Sequence, residues 1–324
     1  MSRHLAEADG HFQKREYRVA VREYFKALRF DPDNLHGLQQ LGLAYYNLGE
    51  LREAYLYLGQ AKALDSNNVV VRLKLGNIYL IDGRPDQAQM EASAALAIEP
   101  RNREALKLGG AADMRKSEPG KAVAAFKQMV AADSADAEAH YLLGLALLSA
   151  GNRAAAPGEL RRALALAPGQ VDATVQLVQL YIAGNHSDSA LALANRTIAT
   201  AGNSARLQNL LGAVYAVRHE PEAAEHAFLT AIALDSGQVD ARIALADLLS
   251  RSKRTDAALA TLDTALRIDP KNVTALLVRG QVYERASEMG NALASYELAA
   301  HLAPNDRSIV DRRDRARNAL QAAR

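Results

Sequence analysis

"ALRFDPDN" at residues 27–34 returns along the chain as "ALAIEPRN" at 95–102, "ALRIDPKN" at 265–272 and "AAHLAPND" at 299–306. Each copy runs from small and apolar residues into a proline followed closely by Asn or Asp. Pro32, Pro100, Pro168, Pro270 and Pro304 stand 68, 68, 102 and 34 residues apart, all multiples of 34. A fixed period of this length decides the architecture before any local reading does.

Laid in blocks of 34 from Met1, the chain gives nine blocks that end at Asp306 with no insertion or deletion. The twentieth place is Ala in all nine: Ala20, Ala54, Ala88, Ala122, Ala156, Ala190, Ala224, Ala258 and Ala292. The eighth is small in all but one, reading Ala8, Gly42, Gly76, Gly110, Gly144, Val178, Gly212, Ala246 and Gly280. Leu recurs at the seventh place and Tyr at the eleventh, as in Leu41 with Tyr45 and Leu75 with Tyr79. Residues four apart share one helix face, so these large side chains form one packing stripe. Small residues at the eighth and twentieth places let two helices of one block cross closely. "NLG" (47–49) and "IDG" (81–83) mark the turn between the helices, where glycine takes a backbone conformation others resist. The proline closes the second helix, and the Asn or Asp after it turns the chain and caps the next.

The block "LHGLQQLGLAYYNLGELREAYLYLGQAKALDSNN" (35–68) resembles a tetratricopeptide repeat, a helix–turn–helix unit. The resemblance implies an all-α, right-handed superhelical solenoid of nine repeats: 1–34, 35–68, 69–102, 103–136, 137–170, 171–204, 205–238, 239–272 and 273–306. Residues 307–324 carry Ile309, Ala316 and Leu320 at helical spacing and are expected to form a capping helix, in preference to a basic docking site. Three blocks depart from the pattern. Block four has Gly109 and Asp113 where Leu and Tyr are usual, block five has Pro157, and block six has Val178 and ends in Gly202. The middle of the rod is therefore expected to be its softest part.

Composition narrows the function. A net charge of +2 gives no general attraction to nucleic acid. The absence of cysteine removes disulfides, thiolate metal sites and Cys nucleophiles. No apolar run reaches the length of a membrane span, so direct membrane insertion by this chain is not expected. "HEPEAAEH" (219–226) is not a zinc motif, since its two histidines are seven apart with Pro221 between them. His4 and His140 fall at the fourth place, a packed position of the first helix. No phosphate loop or catalytic triad is legible, and the repeats leave no residues for a catalytic domain. An enzyme, a metal and a cofactor are therefore not expected. The early tyrosines, Tyr17, Tyr24, Tyr45, Tyr46, Tyr55 and Tyr57, read as core in preference to a stacking surface for sugars or bases.

In the family the resemblance implies, the first helices line a concave groove, and the second, fifth, sixth, ninth, twelfth and thirteenth places look into it. In the middle of the chain those places bring Leu108, Met114, Tyr141, Leu142, Leu145, Leu148, Val175 and Ile182, flanked by Lys107 and Arg115 and followed by Gln176 and Gln179. This apolar stretch is the expected partner-binding site, for a segment with a hydrophobic anchor and a nearby acid. The polar second and third repeats, with Gln39, Gln40, Asn47, Lys74 and Asn77, are a secondary candidate. The final groove places bring Asp240, Asp247, Arg251, Gln281, Glu284 and Arg285. Lys107 lacks the Asn four residues on that carboxylate-binding members of the family carry; Ala111 stands there. The Asn ladder of the family's glycosyltransferases is missing as well.

The expected function is a non-catalytic scaffold for a protein or peptide segment. The repeat style of "YRVAVREYFKALRFDPDN" and "LKLGNIYLIDGRPDQAQMEASAALAIEP" also resembles the tetratricopeptide lipoproteins of bacterial exosortase and exopolysaccharide systems. That resemblance implies an alternative, an envelope component binding polysaccharide or its synthase machinery. The compartment would be cytoplasmic for the chain as written, and periplasmic or envelope-anchored if a leader has been removed.

Overall fold

A computed structural model describes residues 2–322, with side chains from residue 3. These residues form nineteen helices and no strand. The helices pair within the blocks: α1 (Ser2–Gln13) with α2 (Tyr17–Leu28), α3 (Leu35–Leu48) with α4 (Leu51–Leu64), α5 (Val69–Ile81) with α6 (Pro85–Ile98), α7 (Arg103–Arg115) with α8 (Pro119–Ala132), and α9 (Ala137–Ser149) with α10 (Ala156–Leu166). They continue with α11 (Val171–Ala183) and α12 (Ser187–Ala201), α13 (Ala205–Val217) and α14 (Pro221–Leu234), α15 (Val239–Arg251) and α16 (Thr255–Ile268), α17 (Val273–Arg285) and α18 (Met289–Leu302), then α19 (Arg307–Ala322). The chain divides into two compact units, 1–166 and 167–324. In both, each helix packs on the next; first helices also approach first helices, as α3 does α5 and α13 does α15, and no two second helices come as near. The first helices therefore line the inner side of each unit.

The packing follows the repeat places. All nine alanines at the twentieth place are fully buried. The glycine at the eighth place faces the large residue at the twenty-fourth. A methyl added to Gly42, Gly110, Gly144, Gly212 or Gly280 would stand 2.3–2.9 Å from Leu58, Phe126, Leu160, Phe228 or Tyr296 respectively. Repeat six has Val178 and Ala194 at these two places, both fully buried, so the bulk has moved from the second helix to the first. Repeat three has Gly76 with Ala92, and the space over Gly76 is taken by Leu108 of the next repeat, 2.3 Å from where a β-carbon would lie. Leu108 is 2 % exposed, so it serves this packing and is not a groove residue.

The punctuation is equally regular. Side chains of Asn34, Asn68, Asn102, Asp136, Ser204 and Asn272 accept from the backbone N–H three residues on, capping α3, α5, α7, α9, α13 and α17. The turn within every hairpin places its fifteenth residue at positive φ. Gly49, Gly83 and Gly151 do so freely, whereas Arg15, Ser117, Asn185, His219, Lys253 and Ser287 adopt φ of 59–62°. Pro157 is accommodated because α10 starts only at Ala156, which puts the proline in the first turn, where its missing N–H costs little. In repeat six α12 runs on to Ala201 and is stopped by Gly202 at φ 83° and ψ 170°, a conformation only glycine adopts readily. At the chain's end α19 buries Ile309 and Ala316 against the last hairpin, as a capping helix should.

Candidate functional site

The inner side of the first unit carries most of the apolar candidates. Helix α9, "AEAHYLLGLALLS", is apolar around nearly its whole circumference. Leu143, Ala146 and Leu147 are buried, while Tyr141, Leu142, Leu145 and Leu148 keep part of their surface in solvent. Leu142 and Leu148 pack, with Met114 of α7, onto one core cluster containing Leu106, Phe126 and Leu143. The structure thus gathers Met114, Leu142 and Leu148 on a shared base. Leu145 lies between Leu142 and Leu148 on the same helix and is also partly exposed.

The charges beside this row are arranged differently. Lys107 does not stand free: its Nζ is 2.6 Å from Glu138, which also pairs with Arg103 at 2.5 Å. Arg103 reaches the Asp136 cap at 2.6 Å as well, tying α7 to the start of α9. Burial pushes the Glu138 carboxyl up, but the hydrogen bonds from Lys107 and Arg103 outweigh it and hold the group below the usual carboxylate range. Asp136 is held low chiefly by Arg103. Arg115, at the end of α7, is exposed.

Several of the polar candidates of repeats two and three are occupied by their own chain. Gln39 accepts from Asn68 at 2.9 Å, Asn47 donates to the Leu43 carbonyl at 2.8 Å, and Lys74 sits 4.8 Å over the Tyr46 ring. Gln40 and Asn77 are partly exposed on α3 and α5. Of the early tyrosines, Tyr24 and Tyr45 are core, and Tyr45 stacks on Tyr57 at 5.7 Å. Tyr55 instead forms, with Tyr79 and Leu75, part of the wall of an open hollow of about 510 Å³.

In the second unit, Gln176 and Gln179 stand on α11, partly exposed and exposed respectively. A hollow of about 560 Å³ opens further along, lined by Arg251, Gln281, Glu284, Arg285 and Arg312. Arg251 and Arg285 share Asp247, at 2.8 and 2.9 Å. Glu284 accepts from the Tyr296 hydroxyl at 2.7 Å. Arg312 comes from the capping helix and is absent from the sequence-derived groove. Continuing the 34-residue ruler past Asp306 puts Arg312 at the sixth place, which would have found it.

Two groupings that could suggest metal chemistry are explained locally. His4, Glu7 and Glu23 lie together, but Arg3 bonds Glu7 at 2.8 Å and Lys26 bonds Glu23 at 2.7 Å, so the cluster neutralises itself. His219 occupies the positive-φ turn position, and His226 is exposed on α14.

A solenoid of helical hairpins with an open inner side defines a class of repeat proteins that offer extended binding surfaces. Models of the tetratricopeptide repeat match residues 35–68, 108–171, 147–214 and 243–307, together more than half of the chain. The chain belongs to the tetratricopeptide repeat family. It is 25 % identical over 233 residues to mouse anaphase-promoting complex subunit 7; the match takes in 71 % of this chain and 41 % of that protein. The chain thus spans less than half the length of this relative. Its fold is similar to the crystal structure of a tetratricopeptide repeat protein from Parabacteroides merdae, with TM-score 0.61 at 18 % identity, covering 75 % of this chain and 96 % of that one. The APC/C hetero-tetramer Cut9–Hcn1 is similar with TM-score 0.56 at 19 % identity, covering 97 % of this chain and 55 % of that one. No described helix is long and apolar enough to cross a membrane.

Proposed function

We propose that this chain is a non-catalytic scaffold that holds a segment of a partner protein along its inner side, with an apolar anchor seated on α9. One observation carries the reading. A helix apolar all round is normally buried on every side, yet Tyr141, Leu142, Leu145 and Leu148 remain partly open. Such a row gains free energy by accepting an apolar side chain, and a well-seated anchor commonly contributes about 2 kcal/mol or more. Exposed Arg115, and not Lys107 with its own partner Glu138, is the cation left to meet an acid on the ligand. A glycan finds fewer free polar groups in repeats two and three than the sequence offers, since Gln39, Asn47 and Lys74 are engaged within the chain.

The test is site-specific photo-crosslinking in cells of the source organism. A photoreactive phenylalanine at Leu145 should capture one discrete partner. The same probe at Ala165, exposed on α10, should not. Leu145→Asp should abolish co-purification of that partner while leaving the helical melt nearly unchanged. A folded Leu145→Asp protein that keeps the partner would remove α9 as the site.

A further inference from the structure

We propose a second surface, on the opposite side of the first hairpin: the outer face of α2 docks on an anionic lipid bilayer. Arg18, Arg22, Phe25 and Arg29 follow the i, i+4, i+7, i+11 spacing that lines one side of a helix, and all four are exposed. Phe30 follows at the end of the helix with 69 % of its surface in solvent. Among the described residues the arginines have little to neutralise them. Arg18 has Glu50 at 3.9 Å and is itself 83 % exposed, and no ion pair involves Arg22 or Arg29.

The repeat supplies its own control. At the places held by Arg18, Arg22, Phe25 and Arg29, α4 has Arg52, Leu56, Gly59 and Ala63; α6 has Asp86, Met90, Ser93 and Ala97; α16 has Asp256, Ala260, Asp263 and Arg267. The hairpin fold does not require arginine at any of these places, so packing does not explain three of them together.

The shape selects the partner. One turn of helix rises about 5.4 Å, so Arg18 and Arg29 are separated by roughly 16 Å along the helix. No wall encloses a single anion there; the charges suit a plane of them. Phe25, between Arg22 and Arg29, sets its ring edge-on to Tyr45 and Tyr57, with centroids 6.4 and 5.6 Å away, so Phe30, 69 % exposed, is the phenyl ring left open beside the stripe. A phosphate backbone offers a phenyl ring no apolar partner, whereas the bilayer interface supplies anionic headgroups and acyl chains within a few ångströms of each other. Because first helices line the inner side, α2 can lie on a membrane while the α9 row stays open to a protein.

The experiment is co-sedimentation of the full chain with phosphatidylcholine vesicles, with and without phosphatidylglycerol. Binding should require phosphatidylglycerol and fall as salt rises. Each arginine near such a surface contributes on the order of fivefold. The Arg18→Gln, Arg22→Gln, Arg29→Gln triple variant should therefore lose on the order of a hundredfold in partition. Phe30→Ser should lose severalfold. Removing the same charge from repeat five, with Arg153→Gln, Arg161→Gln and Arg162→Gln, should change little, with helical content checked for every variant. Leu145→Asp should bind vesicles like the wild type, so failure of the α9 reading would leave this one intact. The proposal is overturned by equal binding to both kinds of vesicle, by no binding, by a folded triple variant that partitions like the wild type, or by duplex DNA displacing the vesicles.

Discussion

At the scale of single residues, two positions depart from what the repeat wants. The first is the positive-φ turn. Six hairpins place a side chain in a conformation that costs an L-residue roughly 1 kcal/mol and costs glycine almost nothing. Lys253→Gly and Ser287→Gly should each raise stability by about 0.5–1 kcal/mol, while Asn185→Gly should gain less because Asn tolerates the left-handed region. Thermal melting of the three variants decides it, and a fall in melting temperature for Lys253→Gly would show that its side chain holds the turn. The second is Asp113, buried where five other repeats place tyrosine, with Oδ1 unpartnered. Burial pushes its carboxyl up and Glu118 adds to this, against the pull of Lys121 and Lys116. The folded chain therefore prefers the protonated form. That contribution is complete below the ordinary aspartate range and is lost as pH rises through the raised value. Asp113→Asn should remove this dependence, so its melting temperature should gain on the wild type as pH climbs from acid to neutral. A constant gap across that range would mean that Asp113 does not titrate differently on folding.

At the scale of the element, the hairpin is a volume balance between the eighth and twenty-fourth places. Gly212→Val should cost about 1–3 kcal/mol by overpacking against Phe228, and Phe228→Ala about 3–5 kcal/mol by leaving a hole. Combined, they recreate the Val178 and Ala194 pair of repeat six, and the double variant should be more stable than the sum of the two by at least about 1 kcal/mol. Additive costs in chemical unfolding would mean that these places do not trade volume. The small residues of this balance were legible because a recurring small side chain has few causes other than close approach. Its exception was not. Leu108 sits at a groove place, and only the three-dimensional neighbour shows that it fills the space over Gly76. The pairing of Lys107 is hidden in the sequence for a related reason. Its partner Glu138 is 31 residues away across a repeat boundary, beyond the reach of the i, i+4 logic by which charges are paired on one helix. The apolar character of α9 was readable from "YLLGLALL", but how much of each side chain stays open depends on the helices on either side.

At the scale of the whole molecule, nearest-neighbour packing dictates how a perturbation spreads. In each unit, the described helices pack on those one or two positions away in the chain, and among the described residues no central core ties distant repeats together. Stability should then be approximately a sum of local terms. Asp113→Leu tests this cleanly, because it removes an unsatisfied buried group, worth about 1–3 kcal/mol, from one known place. Native-state amide exchange should show protection rising by about 1 kcal/mol or more in α7 and α8 and by less in α5, α6 and α9. Amides of α15 to α18, several repeats removed, should change by less than about 0.3 kcal/mol, as for independent sites. In the wild type the same measurement should find α7 and α8 less protected than α3 and α4, since Gly109 and Asp113 replace the Leu and Tyr that pack at Leu41 and Tyr45. Should all helices instead gain protection equally, the chain would unfold as one cooperative body. The local softness around repeat four would then have to be explained by something other than its own missing side chains.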